Sequence, residues 1–219
     1  MGYFHNPRIV RDGLVLYLDA ANKRSYSGSG TEWKDLSGNN YSGSLNNSPT
    51  YTTDNFGSMI FDGTNDYLIS NLSKNQFSTQ ITISITFKMI DIINVRGLLQ
   101  FSNSLFDAFP WILLRTASAN TISWYLNGTY RTYQTIPLNG WVSITLTYDG
   151  TVWKTYKNGI YEAEYIGPVG TYSGNNYYIG VGYNGYTNIE VSNSLVYNKA
   201  LSAAEVLQNY EATKGRFGL

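Results

Sequence analysis

Residues 141–165 constrain the fold of this chain more than any other stretch. From Trp141 to Tyr148 apolar and polar side chains alternate, which places Val142, Ile144, Leu146 and Tyr148 on one face of a strand. Asp149-Gly150 then supplies a turn that tolerates positive φ, a second strand is expected over 151–157, and Asn158-Gly159 turns the chain into a third over 160–165. A three-stranded antiparallel meander cannot bury its apolar face alone, so the rest of the chain has to supply an opposing sheet.

The remaining sequence reads as more strands. Leu14-Val15-Leu16-Tyr17-Leu18 is a continuous apolar run, as expected of a strand covered on both sides. Residues 22–55 are rich in Ser, Gly and Asn and read as long loop with short edge strands. Residues 58–61 and 67–69 flank a tight connection, Asp62-Gly63-Thr64-Asn65-Asp66. The cleanest period of two runs through Ile81, Ile83, Ile85, Phe87 and Met89, and the intervening Thr82, Ser84, Thr86 and Lys88 are expected to face water. Strands are also expected over 97–101, 111–116, 121–126, 130–134, 177–181 and 189–197, the last with Ile189, Val191, Leu195 and Tyr197 on one side. Ser202-Ala203-Ala204-Glu205 is a capping box that opens a short helix over 203–213, expected to plug one end of a sandwich. The fold class is therefore all-β, an antiparallel two-sheet sandwich with one short C-terminal helix, occupying residues 13–219 behind a terminal arm of residues 1–12.

Composition restricts function more than it assigns it. With 219 residues a single domain buries roughly 70% of its extended surface, enough for a sizeable core. The formal net charge is zero and 14% of residues are charged, so the chain lacks the basic field that nucleic acid or an anionic membrane needs, and neither is an expected partner. No apolar run approaches the ~20 residues of a spanning helix, and the first residues carry no signal-peptide pattern. The absence of Cys removes disulfide and thiolate chemistry.

No catalytic signature emerges. His5 is the only histidine and stands in an aperiodic terminus. Glu162 and Glu164 share a strand face at i, i+2, where solvation explains them as well as glycoside hydrolysis does. The chain is expected not to be an enzyme. No cofactor is expected either, apart from calcium, for which the loop Asp35-Leu36-Ser37-Gly38-Asn39-Asn40 offers Asp35 and Asn39 as oxygen ligands beside the plainer reading of turn residues bonding their own backbone. Aromatic residues make up 16% of the chain, which suits sheet packing and also sugar recognition. Trp124 and Tyr125 are neighbours on one strand and face opposite ways, so the outward one, with Tyr130 and Tyr133, is a candidate glycan platform. Tyr3, Phe4, Arg8 and Arg11 lie outside every sheet signal and are of the types that anchor interfaces, which makes the arm a candidate partner anchor.

Three spaced blocks, 139–150 (NGWVSITLTYDG), 156–159 (YKNG) and 196–206 (VYNKALSAAEV), resemble the laminin-G-like, concanavalin A-like lectin/glucanase domains. Residues 13–19 (GLVLYLD), 35–39 (DLSGN) and 61–67 (FDGTNDY) look like the N-terminal blocks of the same family, so the resemblance spans about residues 13 to 210. It implies a two-sheet jelly roll and a glycan- or protein-binding role, with calcium in some members near the loop matching 35–40. The chain departs from the family where Val191-Ser192-Asn193 stands in place of Ile-Asp-Glu, and it lacks the Glu-rich catalytic strand of the glucanases. The composition and the ending 209–218 (NYEATKGRFG) are similar to laminin-G-like virion proteins of tailed phages, which implies a capsid decoration, fibre or appendage component on the virion surface. Its expected partners are other virion proteins, cell-surface glycans and further copies of itself. The alternative is a free extracellular microbial lectin-like module.

Overall fold

The computed structural model describes residues 7–91, 95–108, 110–118, 120–126, 128–168 and 173–219; the side chains of Thr132 and Tyr133 fall outside the description. Among the described residues the chain forms eighteen strands and one α-helix. The first half holds β1 (Leu14–Asp19), β2 (Glu32–Trp33), β3 (Gly43–Asn46), β4 (Thr50–Thr52), β5 (Ser58–Asp62), β6 (Tyr67–Ser70), β7 (Ile81–Met89), β8 (Gly97–Ser102) and β9 (Ile112–Thr116). The second half holds β10 (Thr121–Leu126), β11 (Thr129–Thr135), β12 (Trp141–Tyr148), β13 (Val152–Lys157), β14 (Ile160–Ile166), β15 (Asn176–Ile179), β16 (Val181–Gly182), β17 (Gly185–Tyr186), β18 (Asn188–Tyr197) and α1 (Ala203–Thr213).

Two antiparallel sheets face each other. Sheet A runs β14-β13-β12-β7-β18-β5-β4, with β1 beside β5 on the same edge of β18, and sheet B runs β11-β10-β9-β8-β15-β6-β3-β2. The expected meander is β12-β13-β14, turned at Gly150 and Gly159, whose φ values of 104° and 78° suit residues without a Cβ. The connection 62–66 carries the chain from β5 in sheet A to β6 in sheet B, so it is a corner between layers.

The core lies where the inner faces meet. Ile81, Ile83, Ile85, Phe87, Val142, Ile144 and Leu146 from sheet A pack with Phe101, Leu114, Ile122, Trp124 and Tyr177 from sheet B, all essentially inaccessible. At roughly 1.5–3 kcal/mol per fully buried large side chain, this face dominates the stability of the domain. Phe77, Phe101 and Trp111 make mutual ring contacts at 5.5–5.8 Å, the edge-on and offset geometries that aromatic quadrupoles favour.

Several expectations change in three dimensions. Thr82, Ser84 and Thr86 are buried, because α1 lies across the outer face of sheet A and does not plug an end. Val206 on the buried side of α1 packs with Tyr156, Leu195 and Tyr197, which all point outward from that sheet. A bulge between Val191 and Asn193 reverses the parity of β18, so Ile189 and Val191 face the core while Leu195 and Tyr197 face the helix. The arm is also shorter than expected. Ile9 and Val10 are buried in the cluster under α1, where Asn209 Oδ1 accepts from Val10 N at 2.8 Å and the Tyr197 hydroxyl donates to Val10 O at 3.1 Å.

Hairpin β16-β17 folds back onto the outer face of sheet B so closely that a Cβ on Gly97 would lie 2.4 Å from Gly182 Cα. The contact is backbone on backbone and has no flexible atom to yield. Gly97→Ala is expected to cost about 1–3 kcal/mol and lower the melting temperature by roughly 2–4 °C per kcal/mol, read from a thermal melt.

Acid lability has a legible source. Asp149 Oδ1 accepts from Val152 N at 2.8 Å and Thr151 N at 2.9 Å, and these donors hold its carboxyl below the ordinary Asp range. The folded group is the stronger acid, so the unfolded chain binds more protons in that window. Its stabilising contribution is complete above the unfolded pKa and disappears as pH falls through the folded one. Urea midpoints measured from pH 7 down to pH 3 should therefore fall less steeply for Asp149→Asn than for the unmodified chain.

Candidate functional site

The proposed calcium loop is committed to holding β1. Asp35 Oδ1 accepts from Tyr17 N at 2.9 Å and Ser37 N at 2.8 Å, while Oδ2 accepts from Ser37 Oγ at 2.7 Å and Tyr41 N at 3.1 Å. Asn39 Nδ2 donates to Leu14 O and Val15 O, both at 3.1 Å. Two carboxylate oxygens that take four protein donors form a staple between loop and strand, the backbone-bonding duty of a turn residue. Among the described residues no group of three or more His, Cys, Asp or Glu is placed to hold a metal ion.

The aromatic candidates separate. Trp124 is fully buried on the core side of β10 and contributes no binding surface, which corrects its place among the glycan candidates. Tyr125 does point outward, where it meets Tyr130 with ring centroids 5.0 Å apart. The Arg115 guanidinium covers the Tyr130 ring at 3.4 Å, and Tyr125 is only 6% exposed. This trio is a packed cross-strand cluster with one half-exposed ring. The Tyr133 side chain lies outside the described residues, as do Tyr3, Phe4 and His5. Arg8 is exposed and its carbonyl accepts from Gln208, and Arg11 lies 5.7 Å from the Tyr17 ring. Glu162 is the bulged residue of β14 and pairs with Lys157 at 2.8 Å and Gln134 at 2.7 Å, so the bulge separates it from the face expected to carry Glu164.

A second aromatic group lies further along the outer face of sheet B, and sequence reading did not single it out. After β8 the chain doubles over its own strand. Gln100 Nε2 donates to Ser104 O at 3.0 Å and Leu105 O at 2.8 Å, and Ser102 Oγ donates to Ser104 O at 2.8 Å. With the loop pinned by its backbone, Phe106 is turned outward and is 51% exposed. Hairpin β16-β17 stands opposite, anchored by Thr187 Oγ1 donating to Gly97 O at 2.7 Å and turned at Asn184, whose φ is 68°. Tyr186 on that hairpin meets Phe106 edge-on at 5.4 Å and Tyr67 at 6.3 Å, and Tyr67 continues to Tyr178 at 6.5 Å. Arg96 closes one side with its guanidinium on Asn184 O.

Between loop and hairpin lies an open depression of about 450 Å³ lined by Arg96, Phe106, Tyr183, Asn184, Gly185 and Tyr186. It combines an exposed ring, a fixed cation and peptide carbonyls. A smaller pocket of about 300 Å³ includes Phe77, Trp111 and Tyr148, but these side chains are buried. The sequence signal for the larger site was the pair of glycines Gly97 and Gly182, whose partnership only the fold reveals.

Solved structures share this architecture at low sequence identity. The receptor binding domain of botulinum neurotoxin C/D mosaic serotype superposes with a TM-score of 0.72 at 16% identity, covering 92% of this chain and 52% of that one. The binding domain of botulinum neurotoxin serotype D gives 0.71 at 16% identity, over 92% and 52%. Trypanosoma rangeli sialidase, in complex with a difluorinated keto-deoxy-nononic acid, gives 0.72 at 16% identity, over 93% and 33%. The chain thus spans about half the length of the toxin domains and a third of the sialidase, and at these identities the likeness is one of fold. A search of curated protein sequences finds no match. Residues 62–207, from the end of β5 into α1, match the family described as the Concanavalin A-like lectin/glucanases superfamily, and with the two-sheet sandwich in place this chain belongs to that family.

Proposed function

We propose that this protein is a non-catalytic carbohydrate-binding module whose binding surface is the depression on the outer face of sheet B. The observation that carries the reading is Phe106, a large ring held half in water by a loop tied down through its own carbonyls. An exposed aromatic face is costly to hydrate and stacks on the C–H face of a pyranose, while a polar rim takes its hydroxyls. Arg96 and the Asn184 side chain supply donors at that rim, and Tyr186 supplies the adjoining wall.

The absence of a carboxylate among the six lining residues supports binding without turnover, since glycosidic cleavage needs two carboxyl groups across the scissile bond. The solved neighbours add context: one is titled a receptor binding domain, another a sialidase bound to a sugar acid. Neither these likenesses nor the family match bears on the virion role suggested by the resemblance to phage proteins, and the proposed role is that of the module alone.

Isothermal titration against a panel of soluble oligosaccharides, chosen from a glycan array, tests the reading. Phe106→Ala is expected to weaken the best ligand at least about tenfold, equal to ~1.4 kcal/mol, with the melting temperature nearly unchanged. Chromatography of the same mixtures should show no shortened saccharide. A panel without a single binder, or full affinity in Phe106→Ala, would overturn the proposal.

A further inference from the structure

The outer face of sheet A is polar to an unusual degree for a covered surface. In register across it stand Asp19, Asn193, Thr86 and Ser143, and in the adjoining row Glu190, Lys88 and Trp141. Apart from the partly exposed Lys88 all of them are buried. Beyond α1, residues 214–219 lie against this surface and touch it through two side chains. Arg216 forks onto Asp19, Nη1 to Oδ1 at 2.7 Å and Nη2 to Oδ2 at 3.0 Å, and the Phe217 ring lies 4.5 Å from Trp141 at 32°.

Three features separate this contact from ordinary core packing. Asp19 keeps other donors, the Tyr17 hydroxyl at 2.7 Å and Ala21 N at 3.1 Å, so two hydrogen bonds to the carboxylate remain when its cation partner Arg216 lifts. Helix α1 has anchors of its own outside the segment: its capping box, Val206 in the cluster beneath it, and Asn209, which bonds Val10 N and the Tyr197 hydroxyl. Beside Asp19 in register, Asn193 Nδ2 is buried with no hydrogen-bond partner among the described residues, as is Ser192 Oγ next to it on β18, a state that costs free energy until water or a ligand reaches them.

We propose that Asp19 and Trp141 form a peptide-recognition site for an arginine followed by an aromatic residue, which Arg216 and Phe217 occupy within the same chain. The carboxylate fork selects guanidinium over ammonium, because only the planar group offers two parallel N–H donors, and the indole face selects a ring at the next position. Within the segment Phe217 N and Leu219 N both donate to Lys214 O, and Lys214 N ties its start to Tyr210 O at the end of α1. A partner carrying the same dipeptide then exchanges with it and gains access to the polar row beneath. The tethered copy competes at the high effective concentration of a short linker, which keeps the site closed in the free protein.

Heteronuclear NMR on the full chain tests this, with the free hexapeptide Lys-Gly-Arg-Phe-Gly-Leu as probe. In Arg216→Ala, amide exchange should rise at residues 214–219 and across Thr86, Ser143 and Asn193 while the rest of the spectrum stays folded. Added hexapeptide should restore protection in those rows and should do so at least tenfold more weakly when its Arg is replaced by Lys. Asp19→Asn in the same background should abolish the effect. The unmodified chain should release its own segment only at higher peptide concentrations. Global unfolding of Arg216→Ala would show that the segment belongs to the cooperative core, and equal binding of the Lys peptide, or none of either, would show that no such site exists. Each of these results overturns the proposal.

Discussion

Everything in this fold depends on β18. Ten residues from the last fifth of the chain pair with β7 along one edge and with β1 and β5 along the other, so the middle of sheet A is closed only after residue 197 is in place. Such non-local pairing demands loop closure before any contact rewards it, which makes the domain slow to form compared with helical proteins of its size. The same strand sets the course of the C-terminus. The chain leaves β18 beside β1, where Thr82 Oγ1 donates to Lys199 O and accepts from Leu201 N. These bonds aim α1 back over the outer face of the sheet, where the hydroxyl ladders of β7 and β12 leave room for a helix to lie close.

Those ladders show where sequence reading succeeds and where it stops. The period of two in β7 and β12 names the core-facing side chains correctly, because alternation is a property of the strand itself. It says nothing of what covers the other face. Thr82, Ser84 and Thr86 look like solvent positions in one dimension and are buried in three, since the covering helix arrives from residues more than a hundred positions away. The parity of β18 failed for a local reason. A single bulge between Val191 and Asn193 turned Leu195 and Tyr197 to the opposite side, and nothing in Val191-Ser192-Asn193-Ser194 announces it.

The capping box at Ser202 and Glu205 and the turns at Gly150 and Gly159 were legible because each is complete within a few residues. The candidate binding surface was not. Phe106 is exposed only because Gln100 holds the loop carbonyls, and Tyr186 reaches it only because Gly97 and Gly182 let a hairpin lie flat on sheet B. Tyr125 and Tyr130, the residues that sequence did bring together, meet as expected, but Tyr125 is buried and Arg115 lies over the Tyr130 ring. A composition rich in tyrosine therefore identifies a protein with many candidate platforms, and the loops decide which ring faces water.

The two outer faces end in opposite states. Sheet B leaves an aromatic depression open between two pinned loops, while sheet A covers a polar row with a helix and a segment held by one arginine and one phenylalanine. An evolved cover intended only for stability would be expected to bury apolar surface, since replacing buried ion pairs with well-packed hydrophobic groups is commonly neutral or stabilising. Here Asp19, Glu190 and Lys88 are retained on the covered face, Glu190 is bonded to both Lys88 and Ser58, and Asn193 keeps an amide nitrogen without a partner among the described residues. That pattern is one that a cover built only for stability would not be expected to keep.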